Sequence, residues 1–161
     1  MLENIINESG MDFITENSFY IEKSAQYESV QENIRSVEFV RVKDDKLIFV
    51  EAKTTFPNPE NDNQRYDEEI SEICEKFIHS INLYSSIEVG VADEGFPEDF
   101  KPNENMSLVF LLVIKNHKPE WCRPINKKIM SVLPSYLKTI WKPSVFVINH
   151  KTAINRQMAF H

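Results

Sequence analysis

The sequence predicts a single α/β domain spanning residues 1–161, and three observations carry that prediction. Two apolar runs rich in β-branched and aromatic residues, Val37–Val42 and Leu47–Val50, flank a polar break and read as a hairpin. A stretch from Gln64 to Ser85 repeats apolar residues at three- and four-residue steps, the signature of an amphipathic helix. A continuous apolar run, Met106–Ile114, has the length and composition of a strand buried on both faces.

Taken in chain order, residues 2–16 are expected to form a short helix, with Leu2, Ile5, Ile6, Met11 and Phe13 as its apolar positions. Phe19–Glu22 reads either as a short strand or as the approach to a helix over Lys23–Glu32. In the hairpin, Asp44-Asp45 supply a two-residue turn, which sets Phe39 opposite Val50, Val40 opposite Phe49 and Glu38 opposite Glu51. Thr54–Asn63, with Pro57 and Pro59, is a loop. The long helix follows on Tyr66, Ile70, Ile73, Cys74, Phe77, Ile81 and Tyr84, its acids gathered in the first half where the helix dipole favours them. Glu88–Asn105 is acidic and holds Gly90, Gly95, Pro97 and Pro102, which predicts an exposed loop after a short strand near Ile87–Val91. Beyond the Met106–Ile114 strand, a helix containing Ile125–Ile140 is interrupted at Pro134, and Ser144–Ile148 supplies a last strand.

The chain carries a formal charge of −7, which argues against a polyanionic partner because phosphate contacts need lysine and arginine. The distribution qualifies this. Residues 1–112 hold 9 basic and 24 acidic residues, whereas residues 113–161 hold 9 basic and 1 acidic. The division suits a basic surface for nucleic acid, and equally a basic segment that neutralises the acidic one within the fold. Trp121, Tyr136 and Trp141 lie among Lys115, Lys118, Arg123, Lys127, Lys128, Lys138 and Lys142, a pattern that fits either a stacking and phosphate-binding surface or aromatics packed under lysine stems. The acid-rich segment 59–69 is a solvated loop and helix start, or in a functional version an interface for a basic protein partner.

Other chemistries find little support. Cys74 and Cys122 form no CxxC pair, and His79, His117, His150 and His161 show no ligand spacing, so neither a disulfide framework nor a zinc site is expected. Three glycines leave no phosphate-cradling loop, and no serine or cysteine sits in a recognisable nucleophile elbow. The first ten residues carry acids where a signal peptide carries bases, and no apolar run reaches membrane-spanning length. A cytoplasmic protein without a membrane partner is the expectation.

The chemical signal lies in the hairpin. Two facing carboxylates, Glu38 and Glu51, repel one another, and near an apolar face the repulsion costs more unless a proton is shared or a cation sits between them. A divalent ion with oxygen ligands resolves the conflict. Lys53, two residues beyond Glu51, projects from the same face of the strand. Alternatively these residues form an ordinary solvated charge cluster at the strand ends.

An acid in one strand, a hairpin, a hydrophobic run ending in Glu51-Ala52-Lys53, an amphipathic helix and a later core strand together resemble the PD-(D/E)XK nuclease superfamily. The resemblance implies a restriction-endonuclease-like fold, a mixed β-sheet flanked by helices with core order αβββαβ. It implies that Glu38 and Glu51 hold Mg²⁺ or Mn²⁺ and that Lys53 assists the water that attacks a phosphodiester. A further acid from the first helix is sought among Glu22, Glu28 and Glu32, with Glu22 preferred as the third metal ligand. Glu38 follows Val37 where Pro-Asp is often found in that family. Nucleic acid would be held by Lys115, Lys118, Arg123, Lys127 and Lys128, and duplex cleavage, which needs two active sites, would favour a homodimer. The other expectation is a catalytically inactive binding or assembly module of the same fold, serving a prokaryotic defence or mobile-element system.

Overall fold

The computed structural model describes residues 5–161. Two antiparallel strands, β1 (Ile5–Glu8) and β2 (Met11–Ile14), open the chain where a helix was expected; Leu2 of that expected helix lies outside the described residues. Ser9 and Gly10, at φ 53° and 74°, make the turn between them, and paired positive φ values match the right-handed twist of a hairpin. Met11 and Phe13 are both fully buried, a period of two that the short apolar pattern had not separated from a helix. A Cβ at Gly10 would lie 2.8 Å from Lys115 Nζ, the movable tip of a long side chain, so the positive φ rather than space is what favours glycine there.

A two-residue strand β3 (Ser18–Phe19) and a 3-10 turn at Ile21–Lys23 lead to a single-turn helix α1 (Ala25–Glu28). The central hairpin follows, β4 (Phe39–Lys43) and β5 (Lys46–Lys53), in the expected register with Asp44 and Asp45 both at positive φ. The long helix α2 runs Asn63–Glu88, so the strand expected near Ile87–Val91 is absent and its first half is the last turn of α2. After β6 (Ser107–Ile114) come α3 (Pro119–Val132), α4 (Ser135–Trp141), β7 (Ser144–Asn149) and a terminal α5 (His150–Asn155) that the sequence pattern did not signal.

The result is an α/β fold with a mixed five-stranded sheet ordered β3-β4-β5-β6-β7. The first two pairings are antiparallel and the last two parallel. The core order αβββαβ needs amendment, because two long strands rather than three separate α1 from α2, and β3 precedes α1. Helices α2, α3 and α4 pack on one face over Phe49, Phe77, Phe110, Leu112 and Ile129, with Phe77 and Phe110 stacked at 4.4 Å. The β1–β2 hairpin and α5 cover the other face over Phe13, Phe39, Val50, Val109 and Ala153. The 89–106 connection is less exposed than its composition suggests: Phe100 is buried and packs edge to face with Phe96 and Tyr84 and at a tilt against Phe19, pinning the loop to the β3 edge. No described helix is long and apolar enough to cross a membrane.

Candidate metal centre

Glu51 is 1% exposed near the end of a strand whose inner residues are all apolar, and this fixes the chemistry of the region. Strand alternation turns Glu51 and Lys53 to the face covered by α2. There α2 presents Glu69, Glu72, Lys76 and Ser80 at three- and four-residue steps, a polar stripe beside its apolar one. Lys76 Nζ donates to Glu51 Oε1 at 3.0 Å. Lys53 Nζ instead pairs with Glu69 at 3.3 Å and approaches Glu72 at 4.0 Å, while Arg35 ties Glu72 and Glu75 at 3.1 and 3.5 Å. The cation bonded to Glu51 is therefore Lys76, a residue the sequence pattern of the hairpin could not supply.

Glu38 lies one residue before β4. Its N–H donates to the Val50 carbonyl at 3.0 Å although Phe39 is the ladder partner of Val50, so two residues face one as in a β-bulge. The ladder stops at Phe39–Val50 and the direct Glu38–Glu51 cross-strand pair is not formed; the two carboxyls meet through a side-chain hydrogen bond. Glu22, from the 3-10 turn, also hydrogen-bonds Glu38. Glu8, from the end of β1, accepts a short hydrogen bond from the Tyr20 hydroxyl. Glu8, Glu22 and Glu38 each bring a carboxylate oxygen within 4.8 Å of the other two.

Glu8 was not among the expected ligands because the first segment was read as helix. Glu28 and Glu32, the alternatives to Glu22, lie outside this trio.

Burial, the hydrogen bond with Glu22 and the neighbouring charge of Glu51 push the Glu38 carboxyl up to about 11. Burial also raises Glu51, opposed by Lys76, by the bond with Glu38 and by Lys53. Tyr20 is raised as well, by burial and by its bond to Glu8. At neutral pH the cluster thus holds a proton on Glu38 that compensates the crowding of carboxylates. The folded chain keeps a proton that the unfolded chain releases, so this contribution to stability is complete below about pH 4.5 and is lost as pH rises toward 11. Glu38→Gln removes the titrating group and keeps the shape. In metal-free buffer its melting temperature should fall less steeply than wild type between pH 5 and pH 9, with a gain of about 1–2 kcal/mol at the alkaline end. Parallel melting curves across that range would show that Glu38 does not carry the proton.

The donor set fits a hard divalent ion. All the groups are carboxylates, and Glu51 Oε2 is buried without a hydrogen-bond partner. Bonds of about 2.0–2.1 Å to Mg²⁺ place ligand oxygens about 3–4 Å apart, so a small rotation of the three side chains closes the trio on an ion.

Of the expected nucleic-acid contacts, Lys115 lies against Gly10, next to the turn that follows Glu8. Lys118 sits at the N-cap of α3 with Nζ 4.9 Å from the Trp121 ring. Arg123 and Lys127 are exposed on α3, and Lys128 pairs with Asp67 of α2 at 3.8 Å. Only Lys115 and Lys118 thus flank the carboxyl end of β6, the end at which Lys53 leaves β5. No family model, curated protein or solved structure matches the chain.

Proposed function

We propose that the chain is a metal-dependent nuclease of PD-(D/E)XK-like character that hydrolyses phosphodiester bonds in nucleic acid. The observation that carries the reading is the carboxylate cluster near the carboxyl end of β5, where buried Glu51 and Glu38 meet half-buried Glu22 and Glu8 from four separate segments. Such crowding of carboxyls costs stability unless a proton is held among them or a cation replaces it. Glu38, Glu22 and Glu8 would hold Mg²⁺ or Mn²⁺, with Glu51 bonded to Glu38 at its inner side. When bound, the ion supplies Lewis acidity at the phosphoryl oxygen and a nucleophilic water near neutral pH.

The chain's own residues then have distinct tasks. Glu38 must give up its proton for the ion to enter, so metal affinity rises with pH. Lys76 holds Glu51 in place through its 3.0 Å bond and is a positioning residue. Lys53, released from Glu69, is the cation available to meet a phosphate or the charge that develops on it.

The test is incubation of end-labelled single- and double-stranded DNA and RNA with the protein and Mn²⁺, beside EDTA and Lys53→Ala. Metal-dependent cleavage that Lys53→Ala reduces while Mn²⁺ binding survives is the expected result. Cleavage indifferent to Lys53→Ala would remove that residue from the reaction.

A second reading has one observation in its favour. Lys53 is paired with Glu69 of α2, and the lysine bonded to Glu51 is Lys76 instead. A non-catalytic binding or assembly module would keep the carboxylate cluster and the metal without cleavage.

A further inference from the structure

Past the carboxyl ends of β5 and β6, the segment following Lys53 and the start of α3 enclose a cavity of about 510 Å³. Phe56 and Tyr66 form part of its wall, packed edge to face at 5.8 Å, and Pro57, Pro124 and Ile125 continue it. Trp121 lines the same cavity and is 49% exposed, so part of its indole is open to a ligand. His117 stands edge-on to the indole with centroids 5.2 Å apart, and Lys118 lies 4.9 Å from the ring centre. Burial lowers the His117 pKa, which favours the neutral imidazole.

This cavity shares a wall with a second depression. Thr55, Phe56 and Pro57 line both it and a neighbouring depression that holds Lys53, Arg65 and Ser9, and Ser9 follows Glu8 in the chain. The shared wall therefore has Lys53, Arg65 and Glu69 on one side and, on the other, an exposed indole with the Lys118 ammonium over its ring. An apolar slot with cations alongside matches a nucleobase joined to a phosphate, because every base offers a π-face for stacking and its backbone carries the charge. Glu60 lines the cavity and Glu69, paired with Lys53, lines the adjoining depression, set against Lys118 beside the indole and Arg65.

We propose that the Trp121 slot binds an unpaired nucleobase of single-stranded DNA or RNA, with Lys118 on the adjoining phosphate, and leads that strand toward the carboxylate cluster. The inference rests on the nuclease reading for its direction, and on the slot itself for its ligand. A duplex keeps its base faces stacked inside and cannot present one to Trp121, so single strands are selected over duplex.

The experiment uses the two tryptophans of the chain. In Trp141→Phe the remaining fluorescence comes from Trp121, and the protein is titrated in EDTA with oligothymidylate, oligouridylate and a fully paired two-strand duplex of similar length. Saturable quenching by the single strands but not by the duplex is expected, and the two oligomers tell DNA from RNA. Labelled single strands should bind Trp121→Ala about 5- to 150-fold more weakly, the fold-change that corresponds to the stacking of one base, with recovery in Trp121→Tyr and partial loss in Lys118→Ala. No quenching, or equal quenching by the duplex, overturns the proposal. Cleavage that proceeds without dependence on Trp121 overturns it while leaving the nuclease reading intact; quenching without metal-dependent cleavage keeps the slot and removes the nuclease reading.

Discussion

Glu38→Gln and Glu22→Gln each lower metal-dependent cleavage by about 10²-fold or more, with the fold retained. Partners that merely orient metal ligands typically cost 10- to 100-fold when removed, and these two carboxylates are placed to bind the ion directly. Both belong to the trio whose oxygens lie within 4.8 Å of one another. Glutamine keeps the side-chain volume and hydrogen-bonding reach but provides a neutral donor in place of a carboxylate. For Glu38 the same substitution relieves a buried, proton-holding acid, so loss of activity accompanies a gain in metal-free stability. That opposition separates a ligand from a structural residue, whose loss lowers both. The check is single-turnover cleavage at saturating Mn²⁺ beside thermal unfolding of the same preparations. A Glu38→Gln protein that cleaves at the wild-type rate would remove Glu38 from the site.

Lys76→Ala destabilises the metal-free protein by about 3 kcal/mol, near the lower end of what breaking a buried ion pair costs. The lower end applies because the Lys76 side chain retains 16% exposure, whereas Glu51 retains 1%. At about 2–4 °C per kcal/mol for a chain of this size, the melting temperature should drop by about 6–12 °C. The loss arises from a carboxylate left in an apolar strand without its cation, so it grows with pH and shrinks in acid, where Glu51 takes a proton. Lys76→Ala combined with Glu51→Gln should recover much of the loss, giving a coupling energy that a double-mutant cycle measures directly. Additive single effects would mean that the 3.0 Å contact contributes nothing of its own.

The long-range frame of the fold is legible in the sequence because its signals are strong and local. The Asp44-Asp45 turn fixes the register of β4 and β5, and the period of α2 and the apolar run of β6 leave few alternatives. The first segment is not legible in the same way. Six apolar residues in fifteen fit a helix loosely, and only the positive φ at Ser9-Gly10 and the burial of Met11 and Phe13 reveal a hairpin. That misreading hid Glu8, which enters the cluster only because β1 ends above the edge of the main sheet beside Tyr20.

The hairpin pattern identified Glu38 and Glu51, and the search for a third acid identified Glu22. The bulge at Glu38 could not be read, since it depends on one hydrogen bond to Val50. Lys76 was legible in principle. It completes the polar stripe of Glu69, Glu72 and Ser80 along α2, but that stripe acquires meaning only when β5 is placed beneath it.

Thermal unfolding of metal-stripped protein titrated with Mn²⁺, for wild type and Glu38→Gln at the same pH, tests the metal centre most directly because it requires no substrate. An ion at a hundred times its dissociation constant stabilises the folded state by about 2.7 kcal/mol. A saturating rise in melting temperature for wild type, larger at pH 8 than at pH 6 and lost in Glu38→Gln, is the predicted result. No rise at millimolar Mn²⁺, or an equal rise in both proteins, would contradict a divalent ion at this cluster.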